Sequence, residues 1–136
     1  PLPILVGTGG ARMLRLTARF AEEWNTWGTP EVAGDVIQKL RIACEKEGRD
    51  PATVRTSVQP LFFLCASDEA VEKLRPLVPA DRSVLGTPSQ IVDAVGQYKE
   101  LGFDEICVPD FTLGNSASER LDSYATFWNE VAVHFR

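Results

Sequence analysis

The chain has 136 residues, 44% of them hydrophobic and 24% charged, with a net charge of -5. That length and apolar content suit a single packed domain over residues 1–136 and exclude a disordered chain. The acidic balance argues against nucleic acid or an anionic membrane as partner, and no apolar run is long enough to span a bilayer.

In chain order, Pro3–Gly7 reads as a buried strand running into the turn Gly7-Thr8-Gly9-Gly10. A helix over Ala11–Ala21 follows, with Met13, Leu14, Thr17, Ala18 and Ala21 on its inward face. Glu23–Trp27 is a short second strand. Thr29 then caps a helix with Pro30 at its first position, an apolar stripe of Val32, Val36, Ile37, Leu40, Ala43 and Cys44, and a stop at Gly48. Glu45–Asp50 is read as its solvated end. Val54–Cys65 is a third strand that Pro60 breaks or bulges.

Ser67 opens a short helix that stops near Pro76. The capping box Thr87-Pro88-Ser89-Gln90 opens a longer one, with Ile91, Ala94, Val95, Tyr98 and Leu101 inward and Gly102 closing it. Glu105–Val108 is a fourth strand. Ser116 with Glu119 forms a second capping box, and its helix is expected to bury Leu121, Tyr124, Ala125, Trp128, Ala132 and Phe135. Trp27-Gly28-Thr29-Pro30 and Leu85-Gly86-Thr87-Pro88 echo one another, which fits either a repeating unit or two good helix starts. Strands this apolar, alternating with helices, predict an α/β fold with a parallel sheet. About four β/α units are present, and a closed eight-stranded barrel needs roughly 250 residues, so the chain supplies half of one.

The glycine turn is the one segment with a chemical purpose visible in the sequence. Glycines permit close approach of a ligand to the backbone, and the helix start behind them offers free N–H groups to an anion. The competing reading is a tight strand-to-helix connection without a ligand. It is not a dinucleotide fingerprint, because Arg12 stands at the third glycine position, nor a Walker A loop, because no Gly-Lys-Ser/Thr follows. Cys44, Cys65 and Cys107 are odd in number and widely spaced, with one histidine in the chain, so neither a disulfide framework nor a zinc site is expected. They read as free thiols of a reducing cytoplasm. Asp110, just beyond a strand, is either a functional carboxylate or a solvated one. Trp24 and Trp27 read as packing residues rather than cofactor stackers, and His134 as a helix-end cation without a catalytic role. The opening Pro1, with Met13 as the sole methionine, suits a trimmed product or a piece of something longer.

The runs PILVGTGGARMLRLTARFAEEWNTWGTPE, KLRIACEKEGRDPATVRTSV and VLGTPSQIVDAVGQYKELGFDEICVPDFTLG together resemble the C-terminal half of luciferase-like monooxygenases. These are flavin- or deazaflavin (F420)-dependent oxidoreductases. The likeness extends from Pro3 to about Phe135, and Val108–Gly114 leans it toward the F420-type branch. It implies half of a TIM (β/α)8 barrel, with FMN or F420 as cofactor. Gly7, Thr8, Gly9, Gly10 and Ala11 would offer N–H groups to the cofactor phosphate, and Arg12 would be its charge partner. Thr8 and Ala11 depart from the family's richer glycine run, as do Glu22-Glu23 ahead of Trp24-Asn25. In the family the N-terminal half makes most contacts to the flavin ring, so no catalytic residue is assigned here. The alternative is a half-barrel that binds a phosphorylated ligand, or only assembles, without turnover. A half-barrel is expected to expose two sheet edges and apolar inward-facing side chains, and therefore to form a homodimer or to pair with a complementary half.

Overall fold

The computed structural model describes residues 2–136. Four parallel strands form the main sheet: β1 (Leu5–Gly7), β2 (Glu23–Thr26), β3 (Arg55–Val58) and β6 (Glu105–Ile106), neighbours in that order. Helices α1 (Ala11–Phe20), α2 (Pro30–Lys46) and α4 (Pro88–Glu100) connect them, and α5 (Ala117–Thr126) follows β6. These are the four expected β/α units, arranged as half of a (β/α)8 barrel. No helix among the described residues is long and apolar enough to cross a membrane.

The third expected strand is divided. β3 ends at Val58, Gln59 still donates to Thr26 O at 2.8 Å, and β4 (Leu61–Leu64) then leaves the sheet. Pro60, which has no N–H, stands at the break. β4 pairs in parallel with β5 (Ser83–Gly86), and α3 (Asp68–Leu74) joins the two as a small unit set into the third repeat. β5 was not anticipated as a strand. It leads directly into Thr87-Pro88, and its pairing to β4 is non-local, so nothing adjacent in sequence announces it.

The helix starts follow the local chemistry. Thr29 and Thr87 hold almost the same extended conformation (φ -60, ψ 165 and φ -64, ψ 163), each with proline next. The Thr87 amide donates to Gln90 Oε1 at 2.9 Å and the Ser116 amide to Glu119 Oε2 at 3.2 Å, closing both capping boxes. Gly48 and Gly102, at φ +70 and +86, take the left-handed conformation that ends α2 and α4.

The core lies between the sheet and its helices. Trp24, Leu14, Ile37, Leu40, Val58, Ile91 and Tyr98 are its fully enclosed centre, and Phe62 of β4 meets Phe127 edge-on at 5.2 Å. Four expectations need correction. The first strand is not buried: Leu5 of β1 is 54% exposed. Met13 is 43% exposed, because α1 buries a narrower stripe of Leu14, Thr17 and Ala18. Glu45–Asp50 is not merely solvated: the half-buried Arg49 donates to Ala18 O and Ala21 O, satisfying carbonyls at the end of α1. The last helix turns a different face inward. Phe127 and Val131, in a wider turn after α5, pack on the core, whereas Leu121 and Trp128 are 72% and 58% exposed.

Tyr98 is enclosed by α2 and the strand ends, and its hydroxyl donates to Gly28 O at 2.6 Å. Burial pushes its phenol well above the ordinary 10.0, and burial raises the thiols of Cys44, Cys65 and Cys107 above 9.0. Each group is held neutral by the fold. Their stabilisation is complete below the unfolded values and is lost as pH rises through the folded ones. The melting temperature is therefore expected to fall above pH 9 and faster above pH 10, with a shallower fall for Tyr98→Phe. That variant starts lower, by about 1–3 kcal/mol, for the unpaired Gly28 carbonyl. Identical alkaline slopes for the two proteins would overturn this account.

Candidate functional site

In register across the main sheet stand Leu5, Glu23 and Arg55, and one layer toward the C-terminal strand ends stand Gly7, Asn25, Ser57 and Glu105. Registered residues in a parallel sheet project to the same side. The other side carries Trp24, Thr26, Thr56 and Val58, all buried beneath helices. Right-handed crossovers place the helices on one face, so the face of Asn25 and Ser57 is the inner, lumen-side face of the half-barrel. This corrects the expected apolar interior. Among these inner-face positions Leu5 is the one large apolar side chain, and Arg55 of the lower layer reaches Glu23 beside it at 4.0 Å and Glu105 of the layer above at 2.6 Å.

The glycine turn sits at the upper, C-terminal rim, where barrels of this kind gather their functional groups. The Thr8 amide donates to Asn25 O at 3.2 Å, and the buried Trp24 indole donates from Nε1 to Thr8 O at 2.8 Å. The turn is thus latched at both faces of Thr8 to β2. Its glycines take no left-handed conformation. A Cβ at Gly7 or Gly10 would meet nothing within 4 Å, and one at Gly9 only Val36 Cγ1 at 3.6 Å. Neither backbone strain nor crowding within the chain therefore calls for glycine here. Gly10 is also the N-cap of α1 and supplies no side chain to the first-turn N–H groups, unlike Thr29 on α2, Ser67 on α3 and Ser116 on α5. Ala11 and Arg12 begin that first turn, both exposed, and Arg12 is absent from the ion pairs of the described residues. Glycines facing open space beside uncapped donors make a cradle suited to a phosphate.

The remaining candidates separate from this cradle. Asp110 lies in a short helical turn and pairs with Arg120 at 3.5 Å, a solvated partner the sequence did not reveal. His134 is exposed in the last turn of the chain. Trp24 is a packing residue stacked near Phe103, with ring centroids 6.2 Å apart. Trp27 is half-exposed at the end of β2, with the Arg82 guanidinium 4.3 Å from its ring. A cavity of about 760 Å3 opens instead beside the free edge of β6, among Ile106, Val108, Tyr124, Trp128 and Phe135. Its walls are mainly apolar and none of the glycine-turn residues lines it.

Ser57 escaped the sequence, Cys107 entered there only as a free thiol, and Asn25 only beside Trp24 in the stretch the family likeness puts at a strand end on the cofactor face. Asn25 Nδ2 donates to Ser57 Oγ at 2.9 Å, and Ser57 Oγ donates to Trp24 O at 3.4 Å. Cys107 stands two residues beyond Glu105 on the same face and is half-buried. Burial raises its thiol first, the Glu105 carboxylate raises it further, and a hydrogen bond with Ser57 opposes both.

A family model described as luciferase-like monooxygenase matches residues 1–83. No curated protein matches the chain. Among solved structures it is similar to the coenzyme F420-dependent tetrahydromethanopterin reductase from Methanopyrus kandleri, with a TM-score of 0.76 at 15% identity over 99% of this chain and 51% of that one. It is also similar to an F420-dependent secondary alcohol dehydrogenase in complex with an F420-acetone adduct, at TM-score 0.71 and 16% identity over 97% of this chain and 48% of that one. The EDTA monooxygenase of Chelativorans sp. BNC1 gives TM-score 0.69 and 14% identity over 98% of this chain and 44% of that one. At these identities the likeness is one of fold. The chain spans about half the length of the solved structures it matches.

Proposed function

We infer the function from one premise: the chain belongs to the luciferase-like monooxygenase family. It forms half of a flavin- or F420-dependent oxidoreductase barrel and binds the cofactor by its phosphate. Gly7, Gly9, Gly10 and Ala11 present backbone N–H groups, Thr8, whose amide is spent on Asn25 O, adds only its hydroxyl, and Arg12 adds an exposed positive charge. The observation that carries this reading is the open space above Gly7 and Gly10, which are glycines without an internal reason to be so. A flavin or deazaflavin supplies the electron pair in such enzymes; this chain's residues hold and orient it. Turnover belongs to the completed barrel, because the residues here include no proton-transfer group beside the cradle.

The test is titration of the purified chain with FMN and with F420, followed by fluorescence, for the natural sequence and Gly10→Val. A Cβ there meets nothing within 4 Å, so the chain should still fold, with a melting temperature lowered slightly by the poorer N-cap. Affinity should fall at least about tenfold, the equivalent of roughly 1.4 kcal/mol. Unchanged affinity would move the ligand elsewhere, and no binding of either cofactor by the folded protein would end the proposal.

Completion of the barrel is part of the same reading. β1 and β6 each pair on one side only, and the flanks beside them are apolar. In a preparation of this chain alone, the occupant of each edge is a second copy.

A further inference from the structure

Between α1 and α2, on the solvent side of the half-barrel, runs a groove of about 460 Å3 that neither the cofactor reading nor the open sheet edges use. Its α2 wall follows from helical spacing. Lys39, Ile42 and Lys46 share the side of the helix opposite the buried Ile37, Leu40 and Cys44, so they face outward together. The α1 wall holds Ala11 and Arg15, with Arg19 one turn further on, and Leu14 and Ala43 form the floor. Leu14 is fully enclosed while Ile42 is 49% exposed, so the apolar strip is recessed between charged rims.

The charge of this groove is opposite to that of the chain. The protein carries a net -5, with 19 acidic residues against 14 basic ones. Here Arg15, Arg19, Lys39 and Lys46 surround a single carboxylate, Glu47. That carboxylate is already spent, accepting from Arg15 Nε at 2.6 Å and lying 3.3 Å from Arg19 Nε. Lys39 and Lys46 are absent from the ion pairs of the described residues. Asp35 and Glu45, the acids nearest them along α2, do not line the groove.

A free surface lysine is ordinary; the pattern here is not. The two lysines stand seven residues apart, about 10 Å along the helix, with an exposed isoleucine between them and arginines opposite. A helix laid in the groove meets this pattern with its own repeat. An acidic, an aliphatic and a second acidic residue at that spacing fall on one helix face and reach Lys39, Ile42 and Lys46 in turn. A flat anionic membrane fits less well, because the apolar strip is recessed and the rest of the chain is acidic.

We propose that the groove between α1 and α2 docks a partner protein through an acidic amphipathic helix, with carboxylates on Lys39 and Lys46 and an aliphatic side chain on Ile42 and Ala43. Ala11 is the one residue it shares with the cofactor cradle. The proposal does not rest on the phosphate reading, and the groove stays on the outside when the barrel is closed.

The probe is a fluorescein-labelled, alanine-based peptide of about 16 residues, long enough to hold some helix alone, with two glutamates seven residues apart and a leucine between them. Controls carry lysine for each glutamate, or the leucine on the opposite face. Fluorescence anisotropy with the full chain should show the acidic peptide binding, more weakly as salt rises, and the control peptides binding weakly or not at all. Lys39→Glu combined with Lys46→Glu should lower the affinity at least about tenfold, and Ile42→Ser about tenfold. All three side chains are exposed, so melting temperature and circular dichroism should stay those of the natural sequence. No binding of the acidic peptide, equal binding of either control, or an affinity indifferent to these substitutions would overturn the proposal. So would sedimentation with phosphatidylglycerol vesicles that depends on Lys39 and Lys46 and occurs without peptide binding, which would assign the groove to a membrane surface.

Discussion

Trp24→Ala is expected to be the most damaging single substitution in the chain, lowering stability by about 3–5 kcal/mol and the melting temperature by on the order of 10–20 °C. Trp24 is fully buried, is the largest of the enclosed side chains and stacks near Phe103. Truncation leaves a cavity beneath the sheet that neighbouring rings cannot close, a large share of a typical domain's roughly 5–15 kcal/mol. It also frees Thr8 O, which the indole holds at 2.8 Å. Trp24→Phe separates the two roles. It keeps most of the packing, so it should melt much closer to the natural protein, yet it cannot donate to Thr8. FMN affinity of Trp24→Phe should therefore fall out of proportion to its stability. If stability and affinity fell together, or affinity held, Trp24 would be a core residue with no part in placing the turn.

Much of this was legible in the sequence wherever the cause is local. A threonine followed by proline, or serine three residues before glutamate, fixes a helix start through its own hydrogen bonds, and the three helices so announced, α2, α4 and α5, begin where the pattern put them. Pro60 announced a break in the strand. What lay on the far side of the break was not legible, because β4 finds its partner some twenty residues later, and Ser83–Gly86 carries no turn signal of its own. Ser57 was invisible for a related reason. A four-residue strand alternates whichever face is inward, so only the assembled sheet tells lumen from core. The glycine turn was visible, but its meaning changed. The sequence offered a ligand cradle or a tight connection; the backbone shows an ordinary conformation and open space, so no steric need within the chain calls for glycine.

The C-terminal helix repeats the lesson in another form. Leu121, Tyr124 and Trp128 do make a stripe at helical spacing, yet it faces away from the core, since Phe127 and Val131 take the inward positions. Periodicity identifies an amphipathic face and is silent about which chain covers it. At the opposite end of the sheet α1 shows the same pattern: Met13, Leu16 and Phe20 are 43%, 38% and 62% exposed at the same spacing. The two helices flanking the open edges thus carry matching apolar stripes, joined on the β1 side by Leu2 and Ile4 and on the β6 side by the apolar cavity.

These flanks predict the state of the isolated chain in solution. A two-fold axis along the strands would place β6 of one copy beside β1 of the next, twice, giving eight parallel strands and no free edge. It would also lay the α5 stripe of each copy against the α1 stripe of the other, removing apolar surface of the kind monomers rarely leave exposed. Light scattering of the purified chain at micromolar concentration should give twice the 15.0 kDa of one copy. Phe20→Glu and Leu121→Glu each place a charge on one stripe at a side chain that is mostly exposed already, so the single copy should keep its fold and circular dichroism. Each variant should shift the mass toward 15.0 kDa, because either stripe serves both contacts of the dimer. A natural chain that remains at the mass of one copy, or a dimer indifferent to both charges, would place closure of the barrel with a different half.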